Sequence, residues 1–281
     1  MKSFLLCLIA LRFVGFGQSR DQVICNRVFS YAFEHKLIEK PIGEVIGEMG
    51  RQFLGAPYEQ NTLEQSGAEQ LVVNLHGFDC VTFVENILAI SRCIKKNRLS
   101  FDAFRQELQT LRYRNGRINS YAGRLHYFSD WIDDNQKKGI LKDVTREFGG
   151  TPYHKTFDFM TSHRDLYRQL ANDSAFNQMK ALEDTLSHRT LYFIPKSAIR
   201  DSQSAIRTGD LIAITTKQEG LDVAHTGIAL RMEDRSLHYL HASTMGDVVR
   251  ISQETLSAYV QKHPSFTGIV VARAAEPENE N

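Results

Sequence analysis

The spacing of hydrophobic residues changes from a helical to a strand-like pattern at about residue 190. Before that point, apolar residues at helical steps predict helices through Val45–Phe53, Phe101–Leu111 (behind a possible Ser100 cap) and Met179–Leu186. After it, short β-rich runs separated by turn residues occur at 191–194, 211–215, 223–230, 237–242 and 268–272. Helices followed by consecutive strands predict an α+β fold in which an antiparallel sheet packs against helices.

The chain has 281 residues, of which 42% are hydrophobic and 24% charged, a composition typical of a globular protein with a substantial core. Since no linker or charge block divides it, we predict one domain over 18–281, with a helical insertion around 97–190. The formal net charge is +1, and the basic cluster 92–98 falls where a helix is predicted to end. This pattern indicates a solvated helix terminus, so no nucleic-acid partner is predicted.

The first seventeen residues have the pattern of a secretory signal peptide. Lys2 precedes an apolar run over 4–11, and Gly15 and Gly17 form a small-x-small cleavage pattern. The run is too short to span a bilayer, and no other stretch is a candidate. We therefore expect export to the periplasm or the medium after cleavage near Gly17, with no membrane span.

The expected mature chain keeps three cysteines, Cys25, Cys80 and Cys93, so at least one thiol must stay unpaired in an oxidising compartment. Cys25 and Cys93 lie on apolar helical patterns and are interpreted as small buried hydrophobes. Cys80 is different because it follows Gly77-Phe78-Asp79 and precedes a helical stripe at 84, 87 and 88.

Cys80 is therefore predicted at or just before a helix start. There the helix dipole and free backbone N–H groups favour a thiolate, and the same N–H groups suit a developing oxyanion. Asp79 is interpreted as a helix cap or turn residue, because a carboxylate aimed at the sulfur would raise the pKa of the thiol.

Two histidines lie on predicted neighbouring strands. His225 opens the run 225–230, and His241 closes the run 237–242 after a turn at Glu233-Asp234. An antiparallel hairpin would bring both imidazoles to one end of the sheet, as a general base and the group that orients it. Each of these residues alone also fits a structural role. Together they predict a thiol hydrolase, with the Cys80 sulfur in hydrogen-bonding reach of His225.

Several motifs in this order resemble the NlpC-type superfamily of papain-like cell-wall hydrolases. They are Gly55-Ala56-Pro57-Tyr58, GFDCVTFVE at 77–85, Gly209-Asp210-Leu211, HTGIAL at 225–230 and LHAS at 240–243. The block YAGRLHYFSDWI at 121–132 resembles one subgroup, secreted N-acetylmuramoyl-L-alanine amidases first catalogued as a domain of unknown function. Val81-Thr82 follow the cysteine where the wider superfamily often has Ser-Gly, which fits the subgroup better. The resemblance spans about 40 to 273.

The resemblance implies a papain-like fold and a cysteine-dependent amidase without a cofactor. In it, Cys80 is the nucleophile, His225 the general base, His241 the residue that orients His225, and Tyr58 a tyrosine beside the nucleophile that assists the oxyanion. The implied reaction cleaves the amide between N-acetylmuramic acid, including its 1,6-anhydro form, and L-alanine through a thioester. The implied partners are peptidoglycan fragments.

In such a thioester the sugar half stays on sulfur, so selectivity is expected in a sugar-side pocket. The candidate substrate-binding residues are Tyr121, Arg124, His126 and Tyr127, whereas Phe128 and Trp131 are interpreted as core.

Three other functions are compatible with parts of this pattern. Cleavage within the stem peptide or acyl transfer would use the same fold and residues, and a muropeptide-binding module would recognise wall fragments without turnover. A zinc amidase cuts the same bond, but neither H-E-x-x-H nor a paired-cysteine motif occurs, so no metal is predicted.

Overall fold

The computed structural model describes residues 18–278, so the predicted signal peptide at 1–17 lies outside the described residues. No helix of the described part is long and apolar enough to cross a membrane. The α-helices there are α1 (Arg20–Glu34), α2 (Ile42–Arg51), α3 (Cys80–Lys95), α4 (Phe101–Arg112), α5 (Phe128–Lys137), α6 (Phe159–Ser162), α7 (Asp173–Ser187), α8 (Ile199–Ser202) and α9 (Leu256–Lys262). The strands are β1 (Leu141–Asp143), β2 (Thr151–Tyr153), β3 (Leu191–Pro195), β4 (Leu211–Thr216), β5 (Val223–Arg231), β6 (Leu237–Ser243), β7 (Val248–Ile251) and β8 (Phe266–Ala274).

The predicted helices are confirmed as α2, α4 and α7. The α4 start is the one expected, because the Ser100 side chain accepts a hydrogen bond from the Ala103 N–H at 3.2 Å. Helix α2 ends at Arg51, so Phe53 lies beyond it, although its side chain is buried. The region 97–190 holds mostly helical elements together with β1 and β2.

The strands form an antiparallel sheet in the order β2-β3-β8-β4-β5-β6-β7, with β1 also paired to β8. The five predicted runs correspond to β3, β4, β5, β6 and β8. The predicted mixed architecture of helices and an antiparallel sheet is confirmed. β1, β2 and β7 were not predicted, since strands of three or four residues are too short to establish an alternating pattern.

Helix α3 packs against β5 and β6, and α2 packs against both α3 and β5. The helix buries Phe83, Val84 and Ile87 fully, in the same core as Ile228 of β5. Helix α2 approaches the sheet closely, because a Cβ at Gly50 would lie 2.5 Å from the Leu240 side chain. This packing fixes the first turn of α3 over the strands that carry the two histidines.

A long segment without helix or strand, residues 52–79, joins α2 to α3 and is called the connecting segment below. Buried polar side chains of and after α4 anchor it. Arg112 donates to the Val72 carbonyl at 2.5 Å and to Glu85 at 2.7 Å, and the Tyr113 hydroxyl donates to Glu69 at 2.7 Å. Loops of this length inside compact domains are usually functional. The residues carried by the connecting segment are therefore candidates for the functional site.

Candidate active site

Cys80 is the first residue of α3, as predicted, and Asp79 is its N-cap. The Asp79 carboxylate accepts the Thr82 N–H at 2.7 Å, and the Thr82 hydroxyl accepts the Asp79 N–H at 2.9 Å. This reciprocal capping box satisfies two backbone donors at the helix start and fixes its position. Cys80 itself is half-buried.

Burial, and secondly the charge of Asp79, raises the pKa of the Cys80 thiol to about 11. The backbone and side chain of Thr226 and the N–H of Cys80 itself lower that pKa by hydrogen bonding, but less strongly. Asp79 is thus the predicted cap, yet its carboxylate also disfavours the thiolate. In the resting protein, burial and the charge of Asp79 raise the thiol pKa more than the N-terminus of α3 and the hydrogen bonds lower it. The sulfur therefore carries its proton at neutral pH.

The structure brings His225 of β5 and His241 of β6 together. His225 Nε2 and His241 Nδ1 are 2.6 Å apart, and the two rings are nearly perpendicular, at 86°. One of these nitrogens must donate and the other accept, so the pair shares a single proton between the rings. His225 keeps Nδ1 for another partner.

Two tyrosines surround the histidine pair. Tyr239 stacks on His241 with ring centroids 4.8 Å apart, and Tyr259 of α9 meets the same ring edge-on at 5.3 Å. Tyr239 is two positions before His241, so strand alternation could have identified it, whereas no sequence signal connects Tyr259 with the pair.

Burial lowers the pKa of both imidazoles. The pKa of His225 falls to about 4, with the charge of His263 as a smaller cause. The pKa of His241 falls to about 3, with the charges of His225 and Arg250 as further causes. Both rings are therefore neutral at pH 7, which is the state a general base requires.

Cys80 is tied to β5 by the residue that follows His225. The Thr226 hydroxyl donates to the Cys80 carbonyl oxygen at 2.7 Å, across the helix–sheet interface. Within residues 18–278, the expected hydrogen bond from Cys80 Sγ to the His225 ring is not formed. Contacts between a nucleophile and its base are often long or poorly aligned until substrate binds.

Tyr58 lies on the connecting segment, where its backbone forms an isolated β-bridge with Phe78, two residues before Cys80. Its N–H donates to the Asp247 carbonyl at 2.7 Å, which holds this part of the segment in place. Burial, followed by the charges of Cys80 and Asp79, raises the pKa of Tyr58 to about 12. The phenol therefore keeps its proton at neutral pH and can donate a hydrogen bond close to the sulfur.

The predicted sugar-side residues Tyr121 and Arg124 have partners within the protein. The Tyr121 hydroxyl donates to Glu64 at 3.1 Å. Arg124 forms an ion pair with Glu64, donates to the Leu63 carbonyl at 2.7 Å and lies over the Tyr121 ring. Both side chains are buried, so they hold the connecting segment in this structure.

His126 and Tyr127 are likewise engaged internally. His126 Nε2 lies 2.8 Å from the Tyr121 carbonyl oxygen, and the Tyr127 hydroxyl donates to Glu183 at 2.6 Å. Substrate contact by the residues of this block stays a prediction.

The interpretation of Phe128 and Trp131 as core is confirmed, because both are buried and their rings stack 4.8 Å apart.

Cys25 and Cys93 are fully buried, as predicted. Burial, with a smaller effect from Asp21, raises the pKa of the Cys25 thiol to about 12. Burial also raises the pKa of Cys93. Among the described cysteines, Cys80 is therefore the one placed for reaction with a solute.

Within residues 18–278, no three His, Cys, Asp or Glu side chains are grouped as a metal site would require.

Fold and site define a mixed α/β protein with a cysteine at a helix start, next to a strand that carries one of two paired histidines. The chain belongs to the N-acetylmuramoyl-L-alanine amidase-like family, whose pattern its residues 48–269 match. No curated protein sequence matches this chain.

Solved structures agree with that membership. A crystal structure described as an N-acetylmuramoyl-L-alanine amidase from Bacteroides uniformis is 39% identical, with a TM-score of 0.79 over 83% of this chain and 98% of that chain. A Bacteroides fragilis protein with the provisional description of a xylanase is 37% identical, with a TM-score of 0.76 over 80% of this chain and 99% of its own. A Legionella pneumophila protein, 23% identical with a TM-score of 0.69 over 92% and 95% of the two chains, shares the fold.

Proposed function

We propose that this protein hydrolyses the amide bond between N-acetylmuramic acid and L-alanine in peptidoglycan fragments, with Cys80 as the nucleophile. The observation that carries the proposal is the geometry near the start of β5. There Thr226 binds the first residue of α3, and the adjacent His225 is hydrogen-bonded to His241. Family membership and the amidase from Bacteroides uniformis support the choice of bond.

The histidine pair has one tautomer that suits this chemistry. If His225 Nε2 carries the shared proton, it donates to His241 Nδ1 and leaves His225 Nδ1 as an acceptor. Nδ1 takes the Cys80 proton as the sulfur attacks the lactyl carbonyl carbon. His241 then stabilises the imidazolium and keeps its ring in place, which is the role of the third residue in such triads.

The tetrahedral intermediate places negative charge on the former carbonyl oxygen. The Cys80 N–H at the helix start and the protonated Tyr58 hydroxyl are donors that can bind this charge. As the C–N bond breaks, His225 passes the proton to the departing L-alanine amine. His225 then deprotonates a water, which cleaves the thioester, releases the muramic acid carboxyl group and returns the thiol.

The finer assignment is to the NlpC-type papain-like hydrolases, and within them to the secreted amidase subgroup. The motifs around Cys80, His225 and His241 and the block 121–132 support it. The same subgroup resemblance supports fragments ending in a 1,6-anhydro sugar as substrates. The pattern at 1–17 supports export of the protein to the periplasm or the medium.

Mass spectrometry of the products formed from defined muropeptides tests the proposed reaction. We expect a peptide-free sugar and an intact stem peptide that begins with L-alanine. Cys80→Ala and His225→Ala should reduce turnover by about a thousandfold or more, because each removes a reacting group. His241→Ala should reduce turnover less than these two substitutions, because His241 orients the base and transfers no proton.

The same assay separates the competing functions. Cleavage within the stem would make the protein an endopeptidase, and transfer of the sugar acyl group to an added amine would indicate an acyltransferase. Equal turnover by Cys80→Ala and the parent would reject the mechanism. Iodoacetamide should abolish activity and a chelator should leave it unchanged, whereas the reverse result would favour a zinc enzyme. Xylan is the control substrate and should not be cleaved.

A further inference from the structure

The ladder between β5 and β6 ends before the histidines. Its pairs run from Arg231↔Leu237 to Ile228↔Leu240, whereas β5 continues to pair with β4 as far as Val223. β5 therefore has a stretch, including Thr226, that is paired on one edge and open on the edge facing β6. Strand edges of this kind leave backbone groups without ladder partners.

The direction of the Thr226 backbone follows from its neighbour Ala229. The Ala229 N–H donates to the Asp210 carbonyl at 2.8 Å, on the β4 side. Because alternate residues of a strand direct their N–H groups to opposite edges, Thr226, three positions earlier, directs its N–H toward the open edge. Helix α3 begins beside this stretch of β5, because the Thr226 hydroxyl contacts Cys80.

The Thr226 side chain is buried against Cys80. It is 1% exposed, and its hydroxyl donates to the Cys80 carbonyl at 2.7 Å. Strand alternation directs Thr226 to the α3 side with Ile228 and its neighbour His225 toward Tyr239, a tyrosine on which the charge of Cys80 also acts. Thr226 is thus the link between the helix that carries the thiol and the strand that carries the base.

We propose that Thr226 is a positioning residue for Cys80: its hydroxyl fixes the first turn of α3 against β5, and its N–H stabilises the sulfur anion when the proton leaves. This inference rests on the proposed function, in which Cys80 reacts as a thiolate. Hydrogen bonds to a charged group are stronger than those between neutral groups, so the N–H gains most when the anion forms.

The charges around the sulfur agree with this role. Asp79 opposes the anion and, after burial, contributes most to the raised pKa of Cys80, while Thr226 acts in the opposite direction through both its backbone and its side chain. Burial, together with charges that include that of Cys80, raises the pKa values of Tyr58, Tyr239 and Tyr259, so these phenols stay uncharged beside the sulfur. Among these residues, Thr226 is the one outside α3 that lowers the pKa of the thiol.

The experiment compares Thr226→Val, which keeps the shape and removes the hydroxyl, with Thr226→Ser, which keeps the hydroxyl. The rate at which iodoacetamide alkylates Cys80 is followed against pH by mass spectrometry of the full-length protein. Thr226→Val should shift the profile upward by about one pH unit, so that alkylation near neutral pH slows by roughly tenfold. Thr226→Ser should return it to the parent profile. On muropeptide, Thr226→Val should lower kcat with KM little changed.

An unshifted profile for Thr226→Val, or equal shifts for the valine and serine variants, would overturn the proposal. Should Thr226→Val fail to fold by circular dichroism, Thr226→Ala and Thr226→Ser are compared in the same way, and equal profiles would again overturn it. Cys80→Ala identifies the labelled site. Alkylation needs no substrate, so it tests the role of Thr226 independently of catalysis. If Thr226→Val shifts the alkylation profile but the parent protein does not cleave the muropeptide amide, the proposed function is rejected while Thr226 remains the positioning residue.

Discussion

At the scale of single residues, Asp79 has two opposing effects on Cys80. Its carboxylate caps α3 through the Thr82 N–H, which stabilises the helix start, and its charge raises the pKa of the adjacent thiol. Asparagine caps helices about as well as aspartate but carries no charge. The two effects are therefore separable by substitution.

We predict that Asp79→Asn lowers the pKa of Cys80 and leaves the free energy of unfolding within about 0.5 kcal/mol of the parent. Iodoacetamide should then alkylate Cys80 several-fold faster at neutral pH. Asp79→Ala is the matched control, since it removes charge and cap together and should also cost about 1 kcal/mol of stability in urea unfolding. The same alkylation profile for Asp79→Asn and the parent would contradict the prediction.

The sequence located some of these residues and not others, for physical reasons. The start of α3 was predictable because a turn containing Gly77 precedes an amphipathic run. Pairing of His225 with His241 followed from two strands joined by a short turn. Thr226 and Tyr259 were not predictable as neighbours of the site, because their contacts depend on how α3 and α9 pack against the sheet.

At the scale of elements, the connecting segment depends on buried charges for its position. Arg112 and Glu85 are 2% and 1% exposed and form an ion pair at 2.7 Å, and Arg112 also donates to the Val72 carbonyl. Breaking such a pair by removing one partner leaves a buried charge without compensation, which typically costs about 3–5 kcal/mol.

Arg112→Met should therefore lower the free energy of unfolding by about 3 kcal/mol or more and speed proteolysis within the connecting segment. Arg105→Met is the matched control, since Arg105 is exposed on the same helix and its replacement should change stability by less than about 0.5 kcal/mol. Urea unfolding and limited trypsin digestion measure the two effects. Equal digestion of the segment in Arg112→Met and the parent would show that other contacts hold it.

Element by element, periodicity found the long helices and the central strands but gave no position for the connecting segment. Its conformation is determined by partners far away in the chain, such as Arg112 and Tyr113, rather than by its own pattern. For the same reason the predicted sugar-side block was not expected to hold that segment, although Arg124 contacts Leu63 and Glu64.

At the scale of the whole molecule, the buried histidine pair makes stability depend on pH. Folding lowers the pKa of His225 from 6.5 to about 4 and that of His241 from 6.5 to about 3. Below about pH 6.5 the unfolded chain binds protons that the folded protein does not, so stability falls as pH decreases through this range. Each histidine contributes a slope of at most about 1.4 kcal/mol per pH unit.

We expect the urea midpoint to fall between about pH 6.5 and pH 4, and to fall less steeply in His241→Gln, which lacks one of the two groups. His188→Gln, a substitution of an exposed histidine, should keep the parent slope. Comparing how steeply the urea midpoint falls with pH in each variant separates the effect of the histidine pair from that of buried carboxylates. Asp222 is one such carboxylate, and burial raises its pKa. Parallel profiles for His241→Gln and the parent would contradict the assignment.

The hydrogen bond between Thr226 and Cys80 joins residues 146 positions apart. During synthesis, Cys80 is therefore made long before the strands that carry Thr226 and the two histidines. A growing or truncated chain that stops in the helical region carries Cys80 without either histidine. The proposed activity is consequently acquired only after β5 and β6 have been made and have packed against α3, so chains that stop earlier should be inert toward peptidoglycan.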